Sequence, residues 1–522
     1  ITSLVYVVSV VHALWGHTLW DNNATTSFYS PVNAVRLSKA WIWFVLLLPV
    51  IAFFFKHNQK SFLRITQGVL LGLAGLLLAI IAERYLFTGL FDFETVMHRV
   101  RGSFVTMHTG GGHIDIFLIT TIPFLLYPFI TRAGYRMRLL ALCVLLVALY
   151  GVFVTYSRGP YLVASLVGCV MLASYMLAVR KHVSVRWVAG ISVLVFSLAA
   201  SWVAIPFVFD SFLTQRLSIA TQDKDTRVNQ WARVANLVNG SAMSYAFGNG
   251  PGTLPRSIML DNINTDMPNA MHDLITNEDN TFLALSAGRS LFTNQYVSVE
   301  QGKRYEYHFR YRSPEASALL RFSLCEKWID DSFRCQETAT ELPPSNEWKS
   351  ATYSVLIDAF PAVPLRDSAI SMRPKTLGIS VAGQTRMLLD DLELLDMSGR
   401  SLLKNGNFSA GNDFWFITSD NHLDWHAKNL IVNIYHDQGI AGVLSFAAFI
   451  AFSLWVLLKQ LLNHNRHAVI MLGALSGYLG VGMVASAFEV PQLALLLYLL
   501  LAVIHTLPLM PSASKEASGS IS

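Results

Sequence analysis

Apolar runs long enough to cross a bilayer recur near residues 1–15, 41–56, 65–84, 114–131, 138–156, 159–180, 187–209, 438–458, 468–488 and 490–508. A hydrocarbon core about 30 Å thick needs about 20 apolar residues in helical conformation, so the pattern predicts about ten membrane spans, some close to the minimum length. Between the seventh and eighth runs the pattern changes. Residues 210–270 are polar with helical spacing and end near the glycine-rich turn Phe247-Gly248-Asn249-Gly250-Pro251-Gly252. From about 275 to 400, apolar and polar positions alternate, as in Tyr305-Glu-Tyr-His-Phe-Arg-Tyr-Arg312, Leu319–Leu324, Ala351–Ile357, Leu377–Val381 and Arg386–Leu395. Six or seven short strands with turn signals between them predict a β-sandwich.

The fold class that follows is an α-helical polytopic membrane protein with an inserted, jelly-roll-like β-sandwich on the outer side. Its expected divisions are 1–209 (N-terminal helices), 210–274 (an outer loop with arginines and glycines), 275–400 (the sandwich), 401–437 (a segment leading back to the membrane), 438–510 (C-terminal helices) and 511–522 (a cytoplasmic tail). The chain opens at Ile1, already inside an apolar run, so a preceding N-terminal portion is expected.

Composition supports this class: of 522 residues, 53% are hydrophobic and only 14% charged, with a mean hydropathy of +0.43. The net charge of +5 comes from short clusters between apolar runs, which argues for orientation in a bilayer and against a nucleic-acid partner. The clusters are Lys56, Lys60 and Arg64; Arg132, Arg136 and Arg138; Arg180, Lys181 and Arg186; and Lys459 with Arg466. By the positive-inside rule they face the cytoplasm, which puts 16–40, 85–113, Ser157–Pro160 and 210–437 outside. Cys143 and Cys169 lie inside apolar runs, whereas Cys325 and Cys335, ten residues apart in the insert, either close a small loop or remain free thiols.

Two sets of residues carry candidate chemistry. One is Asp424-Trp-His426-Ala-Lys428-Asn429, continuing to His436-Asp437-Gln-Gly439-Ile-Ala-Gly442, a polar entrance to the eighth span. At helical period His426, Asn429, Asn433 and the pair His436/Asp437 share one face, either as a solvated helix entrance or as a reactive stripe. The other set is arginine on the outer side: Arg158 in a turn barely long enough to join two spans, Arg216 and Arg227, and Arg99 and Arg101. Guanidinium forks suit phosphate oxygens, and a cluster beside lipid suggests a lipid-linked phosphate. Met107-His108-Thr-Gly-Gly-Gly112-His113-Ile-Asp115 is either a flexible turn or an anion seat at a helix start. His108, His113 and Asp115 are ligand types without a second ligand cluster, and no metal or cofactor is expected.

Together these residues resemble the O-antigen ligase and O-antigen polymerase superfamily of bacterial inner-membrane glycosyltransferases, which includes protein O-oligosaccharyltransferases. Arg158-Gly-Pro-Tyr-Leu162 is similar to that family's Arg-x3-Leu pattern. Arg227 with Trp231, then Gly248-Asn-Gly250, is similar to its Arg and Gly-x-Gly region, and Asn429 followed by Gly439 and Gly442 matches the end of its His-Asn-x9-Gly-x-x-Gly signature. The family histidine position holds Lys428, with His426 two residues upstream, so the base is either His426 or Lys428; an imidazole that titrates near neutrality favours His426. The resemblance implies metal-independent transfer of a glycan from an undecaprenyl-pyrophosphate carrier to a hydroxyl of a glycan, lipid A-core or protein acceptor. That transfer would take place on the periplasmic face of the inner membrane, among membrane lipids. Arg158, Arg216, Arg227 and Arg101 would hold the pyrophosphate, Asn429 would orient the sugar or the base, and Gly439 and Gly442 would let their helix pack closely. The insert, with Leu389-Asp-Asp-Leu-Glu-Leu and Leu403-Lys-Asn-Gly-Asn-Phe408, looks like a carbohydrate-binding module. Trp328, Trp348 and Trp415 either stack on sugars or pack its core. A different class, a transporter or sugar-binding membrane receptor, would show internal repeats and charges at mid-span; neither is visible in the sequence.

Overall fold

The computed structural model describes residues 2–15, 33–87, 89–93, 99–104, 112–179, 220–238, 240–263, 272–277, 280–286, 291–328, 331–358, 374–382, 386–419 and 425–509. Its first half is helical: α1 (Thr2–Trp15), α2 (Asn33–His57), α3 (Ser61–Phe87), α4 (His113–Thr121), α5 (Tyr127–Ile130), α6 (Tyr135–Phe153) and α7 (Arg158–Ala178), with a 3-10 turn Ile122–Leu126 joining α4 to α5. Three helices, α8 (Ala220–Asn236), α9 (Ala242–Phe247) and α10 (Leu254–Ile263), lead into ten strands, and α11 (Leu430–Leu462), α12 (His467–Gly482) and α13 (Pro491–Thr506) close the chain. Among the described residues, seven helical segments are long and apolar enough to cross a membrane, and Thr2–Leu14 and His467–Gly482 are shorter apolar helices. These nine coincide with predicted runs; the tenth, 187–209, lies outside the described residues.

The bundle is organised around α12, most of whose residues are buried. Its glycines explain why. A Cβ at Gly473 would come within 2.6 Å of Met171 and one at Gly480 within 2.7 Å of Val163, both on α7, while one at Gly477 would meet the Ile119 carbonyl of α4 at 2.8 Å. Without side chains at these positions, α12 approaches the backbone of α4 and the side chains of α7 closely, a packing of small residues at a helix interface.

Gly439 and Gly442, expected to let their helix pack closely, both lie on α11. Gly439 breaks α11, with φ 63° and ψ −163° inside the helix. There the chain segment after α9 fills the break: the amides of Asn249 and Gly250 donate to the carbonyls of His436 and Asp437 at 2.7 and 3.0 Å. A Cβ on Gly439 would sit 2.5 Å from the Ala246 backbone, and one on Gly248 2.3 Å from the Gln438 amide. Only glycine tolerates both the positive φ and the approach. At Gly442 a Cβ would meet Gln438 of its own helix at 2.2 Å, not a neighbouring helix.

The insert is two five-stranded antiparallel sheets, in the orders β1-β2-β9-β4-β7 and β10-β3-β8-β5-β6. The strands are β1 (His272–Asn277), β2 (Asn280–Ser286), β3 (Leu291–Val297), β4 (Arg304–Ser313), β5 (Ala318–Trp328), β6 (Asp331–Leu342), β7 (Ser345–Leu356), β8 (Lys375–Ala382), β9 (Arg386–Leu395) and β10 (Phe416–Ser419). Strand β4 shows why alternation works: Tyr305, Tyr307, Phe309 and Tyr311 are buried while Glu306, His308, Arg310 and Arg312 point the other way. Tyr307 stacks on Phe322 of β5, 4.2 Å between centroids, and joins the two sheets. The expected boundary at residue 400 is too early, because Leu403, Phe408 and Trp415 lie in the sandwich core and β10 pairs with β3. Trp415 is thus a core residue whose Nε1 donates to the Asn405 carbonyl at 2.9 Å. Cys325 and Cys335 face each other across β5 and β6 and are joined in a disulfide.

Candidate functional site

The loop Met483–Val490 between α12 and α13 gathers side chains from segments far apart in sequence. Asn429 donates from Nδ2 to the Met483 carbonyl at 3.0 Å. Arg227 of α8 donates from Nη1 to the Val484 carbonyl at 3.3 Å, and Gly159, the second residue of α7, lies so close that a Cβ there would be 3.0 Å from Val484. His113, the first residue of α4, donates from Nε2 to the Ser486 carbonyl at 3.0 Å. The Lys428 amide donates to the Ser486 hydroxyl at 2.8 Å. His426 pairs through Nδ1 with Glu489, whose other oxygen accepts from the Ala427 amide at 3.4 Å.

Local sequence explains how α11 presents this segment. Asn429 is its N-cap, accepting from the amides of Ile431 and Val432 at 2.9 and 3.1 Å. An Asn here satisfies helix-start amides that otherwise lack partners. The expected shared face is corrected accordingly: His426 and Lys428 precede the helix, and Lys428 takes a left-handed backbone with φ 53°. Asn429 uses its carbonyl oxygen on the cap and one amide hydrogen on Met483, which holds the segment in place. Further along, Asn433, His436 and Asp437 are buried in a small network that Asn249 joins at His436 Nε2, 3.4 Å away. Asp437 accepts from Asn433 at 3.2 Å and pairs with His436 at 2.9 Å, so this part of the stripe is neither solvated nor at the loop. A small apolar cluster of Val234, Leu254, Ile258 and Ala427 fastens α8 and α10 beside the entrance and so positions Arg227.

Electrostatics distinguish the cations. Burial, then the charges of Arg227 and Arg99, push the Lys428 amine down from 10.5 to about 8. Three positive groups therefore lie within electrostatic reach of one another, and Lys428 remains mostly protonated at neutral pH. Arg99 donates to the Tyr156 carbonyl at 3.1 Å, in the turn before α7. Arg101, expected in this set, is 3% exposed, and its amide donates to Glu83 at 3.0 Å; Arg99 is the residue of that loop whose charge reaches Lys428. The Arg158 backbone opens α7, its side chain lies outside the described residues, and Arg216 lies wholly outside them.

His113, His426 and Glu489 also bring one potential ligand atom each within 4.8 Å of one another, a constellation the sequence did not reveal. The cations beside it oppose a divalent ion and favour an anion. Of the ligand types weighed earlier, Asp115 caps its own helix by accepting from the Gly112 amide at 2.7 Å, and His108 lies outside the described residues. Glu489, in Ser486-Ala-Phe-Glu489-Val-Pro491, is the functional candidate that sequence reading missed; a lone carboxylate between two apolar runs was its one signal.

No protein-family model matches the sequence, and no curated protein sequence does. Solved structures are similar to part of the chain. A CBM4 module is 13% identical with a TM-score of 0.18, covering 24% of this chain and 76% of its own. The PbXyn10C carbohydrate-binding module is 19% identical with a TM-score of 0.19, covering 28% and 88%, and a family 16 carbohydrate-binding module is 12% identical with a TM-score of 0.16, covering 24% and 85%. The shares correspond in size to the two-sheet insert, and at these scores the likeness carries no argument about a ligand. The chain combines apolar helices of membrane-spanning length with a β-sandwich whose structural neighbours are carbohydrate-binding modules.

Proposed function

We propose that the protein is a glycosyltransferase of the bacterial inner membrane, moving a glycan from an undecaprenyl-pyrophosphate carrier to an acceptor hydroxyl at the periplasmic face. The observation that carries this reading is the meeting of Arg99, Arg227 and Lys428 with the His426–Glu489 pair around one loop, at the ends of several apolar helices. A departing pyrophosphate gains negative charge, and fixed cations in a water-poor site stabilise that charge more than water does. An imidazole beside them accepts the proton of the attacking hydroxyl. This division gives Lys428 the phosphate and His426 the proton, and Arg158, whose backbone starts α7 next to Val484, belongs to the phosphate side. In the same reading the β-sandwich holds glycan near the site.

The test is glycan transfer from a purified lipid-pyrophosphate donor by the wild type and by Arg158→Ala, Arg227→Ala and His426→Ala. Each substitution is expected to lower transfer by about 100-fold or more. Full activity in Arg158→Ala and Arg227→Ala would refute the pyrophosphate role.

A further inference from the structure

His426 meets a carboxylate from a segment 63 residues away. The contact uses Nδ1, so the proton of the neutral imidazole rests on Nδ1 toward Glu489 and the basic lone pair rests on Nε2. Glu489 is itself fixed from the other side by the Ala427 amide, and the loop that carries it is tied to the same segment by the Ser486 hydroxyl and the Met483 carbonyl. Both side chains are largely buried, 12% and 14% exposed. An acidic partner with several anchors onto the backbone around a histidine is arranged to hold that ring in one orientation.

We propose that Glu489 is the positioning residue that makes His426 the proton acceptor, an inference resting on the transfer reaction proposed above. In the step, the acceptor oxygen bonds to the anomeric carbon while its proton passes to Nε2 of His426. The bond from that carbon to the pyrophosphate oxygen breaks, and its electron pair leaves with the lipid pyrophosphate toward Arg227 and Lys428. Glu489 then faces the new imidazolium and stabilises it without taking its proton.

His113 stands edge-on to His426 at 5.5 Å between ring centroids.

Three measurements decide the matter. Glu489→Gln is expected to lower transfer by about 100-fold or more, while Glu489→Asp recovers at least about tenfold over Glu489→Gln. The second readout needs no donor: the ring nitrogen NMR shifts of His426 report the proton on Nδ1 in the wild type and a mixture of tautomers in Glu489→Gln. An unchanged tautomer in a folded variant overturns the proposal, as does wild-type activity in Glu489→Gln. The third is chelation of the wild type: loss of transfer that Mn²⁺ or Zn²⁺ restores would overturn the pair in favour of a metal on His113, His426 and Glu489. A wild type inert toward lipid-pyrophosphate donors, with the tautomer change intact, would refute the proposed function and leave the His426–Glu489 pairing standing.

Discussion

The β-sandwich and the loop Met483–Val490 treat charge in opposite ways. On the sandwich, Arg310 pairs with Asp391 at 3.1 Å and lies over Trp348 at 5.3 Å, and Lys303 pairs with Glu300 at 2.6 Å in the open. Such surface pairs cancel locally and contribute little to stability. At the loop, Arg227 is held by a carbonyl, a neutral partner, and its charge is strong enough at Lys428 to help depress that amine. The charges of Arg227 and Arg99 both act on Lys428.

The largest expected effect sharpens that contrast. Arg227→Ala or Lys428→Met should lower transfer by about 100- to 1000-fold, whereas Arg310→Ala on the sandwich should leave the chemical step within about twofold; equal losses would break the comparison. The wild-type rate should also fall as pH rises through about 8, where Lys428 loses its charge. The linked stability runs the other way. Because the folded state binds this proton less tightly than the unfolded chain, stability rises between about 8 and 10.5. Lys428→Met removes that rise in a pH series of thermal melts.

Next in size is the backbone break that seats α11. Gly439→Ala adds a Cβ at positive φ against the Ala246 backbone, and it should cost about 1–3 kcal/mol by denaturation in detergent. Wild-type stability would contradict the account of the break. The disulfide comes next: Cys325→Ser with Cys335→Ser should weaken the sandwich by about 2 kcal/mol, seen as faster proteolysis of the insert, with the bundle's melting unchanged. The smallest effect is at the cap, where Asn429→Ala should cost about 1 kcal/mol.

The same contrast explains what could be read from the sequence. Strands β4 and β9 were legible because burial on one face forces alternation, and β5 and β8 because they carry short apolar runs. Strand β6, with polar residues on both faces at the sheet edge, and β10, four residues long, carry no such signal. In the bundle, apolar runs marked the helices, but not which of them lies at the centre, because the partners that Gly473, Gly477 and Gly480 of α12 meet are distant in sequence. His426 and Arg227 were legible by residue type and local company. Glu489 was not, because its meaning depends on a loop that folds back onto residue 426, and a contact of that range leaves no periodicity.

The central claim is that the cations around Met483–Val490 recognise a lipid-linked pyrophosphate. The most direct measurement is the affinity of undecaprenyl pyrophosphate, against undecaprenol, for the wild type and Arg227→Ala in lipid nanodiscs. The account predicts that the pyrophosphate binds at least about tenfold more tightly than the alcohol in the wild type and that Arg227→Ala loses most of this difference. Equal affinities for the two lipids in the wild type would contradict it.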